Sequence, residues 1–242
     1  MGNRLIVFPH IITGLNIFCG FQALIYTLQN NYVSAAWLII LAGIFDVLDG
    51  KIARLLKSTS TLGIELDSMA DIISFGVAPA ILFYSVYNEN SSANAFLWVI
   101  PFTYLIAGIT RLVRFNIRSY QKKDQSKKEN FSGLPIPAAA FAVCSFIIFT
   151  YDYYGQFSHP DIYLILVLLV SILMVSTIEY QSFPKMSFSR WSDRINVILL
   201  GISLTLVAIN PRRMFFLLTI VYLVYNPAKN FIVSLIRSHK TA

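Results

Sequence analysis

The chain has 242 residues, of which 56% are hydrophobic and only 13% charged, and its mean hydropathy is +0.64. A water-soluble domain of this length has no place for that much apolar surface, so the composition excludes a soluble enzyme and makes a bilayer the solvent. The net charge of +7 does not mark a nucleic-acid binder, because no basic, aromatic-interleaved soluble face accompanies it.

Apolar runs of roughly 17 to 25 residues, enough to cross a hydrocarbon core about 30 Å thick, recur between short polar joints. They predict eight spans, over residues 11–29, 34–56, 65–87, 95–116, 135–151, 161–180, 194–210 and 214–236. The runs are about twice the length of barrel strands and lack their alternation, so the fold class is all-α integral membrane. One set of joints holds Arg4; Lys51, Arg54 and Lys57; Arg111 to Lys128; Lys185, Arg190 and Arg194; and Lys229, Arg237 and Lys240. The opposite set holds only Arg212 and Arg213. By the positive-inside rule the basic side is cytoplasmic, and both termini lie there. No cleavage-site pattern follows the run 11–29, which is therefore expected to stay as a span.

In the first span Thr13 and Asn16 form a polar spot. Cys19 there, like Cys144 later, lies in an apolar run without metal-type spacing and reads as a buried small hydrophobe, so redox chemistry is not indicated. The second and third spans carry four acids. Asp46 and Asp49 are three residues apart and Asp67 and Asp71 four apart, and either spacing puts a pair on one helix face. At about 100° per residue the second helix groups Asp46, Asp49, Gly50, Ala53, Arg54 and Lys57, and the third groups Gly63, Asp67, Ala70, Asp71, Ser74 and Ala78. Small neighbours let a helix or a bulky ligand approach the backbone. Arg54 and Lys57 stand where a phosphate would meet them.

An ionised carboxylate inside a bilayer is costly, so acids within spans face a cavity, a partner or an ion. Four oxygen donors without His or Cys suit hard cations such as Mg²⁺ or Mn²⁺ and argue against zinc or copper. Two such ions would clamp the attacking and leaving oxygens of a displacement at phosphorus. Structural ion pairing with Lys51, Arg54 and Lys57 is the plain alternative, but three bases cannot neutralise four acids plus Glu65. A carboxylate-lined ion or proton transporter is the serious competitor.

Farther along, Arg111, Arg114 and Arg118 recur at three- and four-residue steps and give the fourth span a cationic face. Arg111 and Arg114 are the better placed to hold an acceptor carboxylate or a lipid phosphate; snorkelling to the interface is the alternative. The joint 117–133, with Lys122, Lys123, Lys127 and Lys128, reads as a solvated loop facing anionic lipid. A covalent route through an H-x-K histidine is closed: His10 is followed by Ile11-Ile12, His159 by Pro160-Asp161 and His239 by Lys240-Thr241. The last two spans carry no legible motif.

Residues 46–71 read D-x2-D-G-x2-A-R-x8-G-x3-D-x3-D, supplied by Asp46, Asp49, Gly50, Ala53, Arg54, Gly63, Asp67 and Asp71. This string resembles the signature of the CDP-alcohol phosphotransferase family. The resemblance implies a six-helix catalytic membrane core over residues 1–180, with two additional transmembrane helices and a short tail over 181–242. It also implies a site at the cytoplasmic face of the inner membrane. In that family the first three aspartates bind metal and the fourth is the general base and touches the second ion; carried over, these are Asp46, Asp49, Asp67 and Asp71. Gly50, Ala53, Arg54 and Gly63 would line the pocket for the CDP-lipid, and Asn16 resembles an asparagine of the family's first span.

The surroundings narrow the resemblance to the bacterial branch that uses serine. Glu65-Leu66-Asp67-Ser68-Met69-Ala70-Asp71, Ser74-Phe75-Gly76-Val77-Ala78-Pro79-Ala80, Arg111-Leu112-Val113-Arg114-Phe115-Asn116 and Gly133-Leu134-Pro135-Ile136-Pro137 are similar to its stretches. The implied partners are CDP-diacylglycerol, L-serine, two Mg²⁺ or Mn²⁺ ions, membrane lipid and a second copy of the chain. Glu65 would join Arg111 and Arg114 at the acceptor or pair with Arg54. Glycerol 3-phosphate, inositol and choline are the alternative acceptors, and the cationic pair fits choline least.

Overall fold

In a bilayer every backbone N–H and C=O must find its partner within the chain, and long runs of Leu, Ile, Val, Ala and Phe meet that demand by winding into helices. The computed structural model describes residues 2–55, 61–90, 97–121, 131–180, 201, 203 and 205–241. Helices α1 (Gly2–Leu28) and α2 (Tyr32–Leu55) form a hairpin. Asn30 closes its turn in the left-handed region at φ 60°, and the Asn31 N–H donates to the Tyr26 carbonyl at 2.9 Å. Helix α3 (Thr61–Asp71) runs through a π-helical turn (Ile72–Val77) straight into α4 (Ala78–Asn90), making one rod. Then come α5 (Val99–Gln121), α6 (Ile136–Tyr154), α7 (Pro160–Val175) and α8 (Pro211–Thr241), with residues 205–209 also helical. Prolines in the first turn open α6 and α7, and Gly155 at φ 72° stops α6.

Four stretches are long and apolar enough to cross a membrane: His10–Leu28, Tyr32–Ile52, Gly63–Asn90 and Ile136–Tyr154; Pro160–Val175 is a shorter apolar helix. Each expected span from 11–29 through 161–180, and 214–236, falls on a helix, whereas of 194–210 only residues 201, 203 and 205–210 are described. Helix α7 ends five residues before the expected 180. Ser176 leaves the helix with ψ 162°, and the chain beyond it is taken up by the segment that leads into α6. Phe131–Ser132 pairs antiparallel with Glu179–Tyr180, the Gly133 N–H donates to the Ile178 carbonyl at 2.8 Å, and the Leu134 N–H to the Leu173 carbonyl at 2.9 Å.

Helix α6 is the axis of the core, with Ala139, Ala140, Ala142, Val143, Cys144 and Ile147 buried. Cys19 and Cys144 are both buried free thiols, as their apolar settings predict. Tyr163 of α7 stacks on Phe146 at 5.2 Å and meets Phe83 of α4 at 5.0 Å. Helix α8 lies against α6 through Phe215 on Phe141 (5.7 Å) and Phe216 on Phe149 (4.9 Å). Phe18, Phe21, Ile44, Phe102, Ile165, Ile172 and Val221 point outward, where lipid would cover them.

The two ends of the bundle are tied differently. At one, the Tyr32 hydroxyl donates to the Glu89 carboxylate at 2.5 Å, and Asp152 accepts from Arg212 at 3.1 Å and Arg213 at 2.9 Å. At the other, Asn116 Nδ2 donates to Ser68 Oγ at 2.9 Å and Arg114 Nη1 to the Val175 carbonyl at 2.7 Å. The four acids lie toward this second end.

Candidate active site

Asp46 and Asp49 sit in the last turns of α2, Asp67 and Asp71 in the second half of α3, and α1 packs against both helices. One carboxylate oxygen from each of Asp46, Asp49 and Asp67 lies within 4.8 Å of the other two. Asp71 is in the electrostatic field of all three. The two pairs, each predicted on one helix face, are therefore brought together as one cluster. Asp49 is 4% exposed and Asp71 8%, so bulk water is not their partner. Asp49 Oδ2, Asp67 Oδ1 and Asp71 Oδ1 are buried without a hydrogen-bond donor among the described residues.

Mutually repelling carboxylates at this depth need a proton or a cation to compensate them. Oxygen-only donors with buried, unpartnered lone pairs, and no His or Cys in the set, fit a hard divalent ion. Helix α1 supports the cluster from the side. Thr13 stands beside the Asp49 carboxylate, within reach of its hydroxyl. Sequence reasoning saw Thr13 only as part of a polar spot; its place one helical turn before Asn16 was the available signal. Asn16 is fully buried, and both atoms of its side-chain amide lack a partner among the described residues. Its backbone carbonyl accepts from Ser74 Oγ at 3.0 Å.

The other expected site residues are spread over α2, α3 and α5. Gly50 comes directly after Asp49, and Gly63 is half-buried near the start of α3. Ala53 and Arg54 lie on the last turn of α2 with side chains outside the described residues, and Lys57 is outside them altogether. Glu65 is exposed. Arg111 is half-buried, interacts electrostatically with Asp71 and Asp46, and carries its guanidinium carbon 5.5 Å from the Phe115 ring centre. Arg114, three residues on, turns instead to the end of α7 and donates to Val175. Tyr222 of α8 also stands in electrostatic range of Arg111, its ring 5.9 Å from that of Tyr180. Neither tyrosine was singled out by the sequence.

Residues 6–178 match the family model described as CDP-alcohol phosphatidyltransferase. The chain is 35% identical over 226 residues to the CDP-diacylglycerol–serine O-phosphatidyltransferase of Helicobacter pylori, an alignment covering 92% of this chain and 90% of that one. It is 38% identical over 185 residues to the protein of the same name from Bacillus subtilis, covering 73% of this chain and 91% of the relative. To the archaetidylserine synthase of Methanothermobacter thermautotrophicus it is 36% identical over 186 residues, 76% of this chain and 73% of the other. All four aspartates fall within the family match; Tyr180 and α8 lie beyond it.

Proposed function

The chain belongs to the CDP-alcohol phosphatidyltransferase family, and on that premise we propose that it transfers the phosphatidyl group of CDP-diacylglycerol to the hydroxyl of L-serine, releasing CMP. One observation carries the reading: a buried acidic cluster of the kind that holds hard cations, in a chain 35% identical to a serine transferase along 92% of its length. Relatives whose names differ in the lipid agree on serine, which supports that acceptor over glycerol 3-phosphate, inositol or choline.

Asp46, Asp49 and Asp67, with Asp71 beside them, are the residues that would hold two divalent ions, Mg²⁺ or Mn²⁺. Bound there, such ions supply charge neutralisation for the pyrophosphate and the departing CMP. Asp71, with Oδ1 unclaimed, accepts the serine hydroxyl proton as the serine oxygen bonds to the lipid-side phosphorus and the bond from that phosphorus to CMP breaks. No lipid–enzyme adduct forms. Gly50, Ala53 and Gly63 admit the CDP group close to the backbone, Arg54 meets its phosphates, and Asn16 offers an amide hydrogen bond to it. Arg111, facing Asp71, holds the serine carboxylate; Arg114 and Glu65 stand outside it at the acceptor entrance. Burial of the acids keeps water from competing with serine.

The same reading gives eight spans with both termini in the cytoplasm of a cell whose inner membrane holds the chain. Residues 1–180 form the catalytic core, residues 181–242 the added helices, and two copies associate. The distribution of Lys and Arg supports the orientation. An ion pathway also needs acids, but it does not call for Gly50, Ala53, Arg54 and Gly63 at their spacing.

Membranes containing the protein are expected to release CMP from CDP-diacylglycerol when serine is added, and to stop when the divalent ions are chelated. Thin-layer analysis with serine, glycerol 3-phosphate, inositol and choline offered in turn checks the acceptor; product with another alcohol alone would displace serine. Asp71→Asn is expected to lower turnover by at least about a hundredfold while CDP-lipid binding persists. Near-normal turnover in that variant would remove Asp71 as the base.

A further inference from the structure

The rod α3–α4 changes its winding immediately after Asp71, and the cause is in the sequence. Pro79 has no N–H to give to the Phe75 carbonyl four residues before it, and in an ordinary helix its ring would press on that carbonyl. The chain answers with the wide turn Ile72–Val77, from which the Ala78 N–H reaches back five residues to the Ile73 carbonyl. The Phe75 carbonyl draws a donor from another helix: the Tyr104 hydroxyl of α5 lies 2.9 Å away. Tyr104 is 1% exposed, so without this bond both groups would be stranded in an apolar interior. A second clamp acts from α1, where Ser74 Oγ donates to the Asn16 carbonyl at 3.0 Å and a Cβ on Gly20 would collide with Ser74.

One extra residue in a turn rotates the helix on its N-terminal side by about 100° relative to the helix on its C-terminal side. Helix α4 is anchored in the core by Leu82, Phe83 and Val86, all fully buried. The rotation therefore falls on α3, which carries Asp67 and Asp71. We propose that Tyr104 is a positioning residue: by holding the Phe75 carbonyl it maintains the wide turn, and through it the rotation that aims Asp67 and Asp71 at Asp46 and Asp49. The inference rests on the acidic cluster as a holder of divalent ions and not on the acceptor.

Tyr104→Phe, Pro79→Ala and the double variant test it in the full-length protein purified in detergent. Four quantities are read: melting temperature, Mn²⁺ affinity by spin resonance without substrate, kcat, and KM for each substrate. Tyr104→Phe is expected to cut kcat roughly ten- to a hundredfold and to weaken Mn²⁺ binding about tenfold, with both KM values little changed. Pro79→Ala returns an N–H to the Phe75 carbonyl and lets an ordinary helix form. The double variant should thus recover the parent's melting temperature while kcat and Mn²⁺ affinity stay low. A merely structural role gives the reverse, with activity returning alongside stability, and that result overturns the proposal. So does Tyr104→Phe with kcat and Mn²⁺ affinity close to the parent's. Should Tyr104→Phe fail to fold, Pro79→Ala alone decides: a stable protein with weakened Mn²⁺ binding supports the proposal, and one with parental binding defeats it. Because Mn²⁺ binding is read without substrate, a parent that transfers to another alcohol, or releases no CMP, counts against the serine reading and leaves this comparison intact.

Discussion

Arg111 and Arg114 are neighbours on one helical face, yet they meet different chemistry. Arg111 is half-buried beside Asp71 and Asp46, where a free carboxylate entering the site would find it. Arg114 spends Nη1 on the Val175 carbonyl at the exposed end of α7, a bond that closes a helix terminus. The two truncations should therefore separate. Arg111→Ala is expected to raise the serine KM by about tenfold or more, the loss of a charge-assisted bond being worth roughly 1.5–3 kcal/mol, with the CDP-lipid KM nearly unchanged. Arg114→Ala should instead lower the melting temperature, with a smaller effect on the serine KM. Steady-state kinetics and thermal melts on both variants check this; equal serine KM values in the two would erase the distinction. The sequence made both arginines candidates because periodicity reports a face, not what each side chain finds there. The aspartates were more legible, since a carboxylate inside an apolar run has few stable fates.

At the scale of elements, the junction between α5 and α6 is held by backbone as much as by side chains. Gly133 has φ 89°, a left-handed conformation, and a Cβ there would run into the Met174 carbonyl. Its own N–H is bonded to Ile178. Gly133→Ala combines left-handed strain with a backbone collision and is expected to cost at least about 2 kcal/mol. A thermal melt in detergent would show a drop of several degrees; an unchanged transition would mean that the junction yields without cost. This junction also explains why α7 stops at Val175 although the apolar pattern continues. Hydropathy sees Ile178, Glu179 and Tyr180 as span, but the Ile178 carbonyl is claimed by Gly133 and the two residues after it pair with Phe131–Ser132, a long-range pairing that no local pattern encodes. The wide turn at Ile72–Val77 was hidden for a related reason. Pro79 marks a broken hydrogen bond in the sequence, but the donor that replaces it sits on another helix. Helices and their order, set by apolar length and by proline and glycine at the ends, were readable throughout the described spans.

For the whole molecule the decisive quantity is which end of the bundle faces the cytoplasm, because the acidic cluster lies toward one end only. Arg212 and Arg213, the basic residues predicted for the far side, share the carboxylate of Asp152, which offsets one of their two charges. Their presence there costs the positive-inside pattern little. The end that holds Asp46 to Asp71 also carries Lys51, Arg111 and Arg114 among the described residues, and in the proposed reaction the water-soluble substrate and product, serine and CMP, are expected on the cytoplasmic side. The two native thiols are buried, which leaves a quiet background for cysteine labelling. Gln156, exposed in the turn between α6 and α7, and Ile117, exposed at the opposite end on α5, are suitable reporters. With a membrane-impermeant maleimide, Gln156→Cys should react in intact cells and Ile117→Cys only after the membrane is opened. The reverse pattern would place the aspartates on the outer face, away from both serine and CMP, and the cytoplasmic assignment of the site would fail with it.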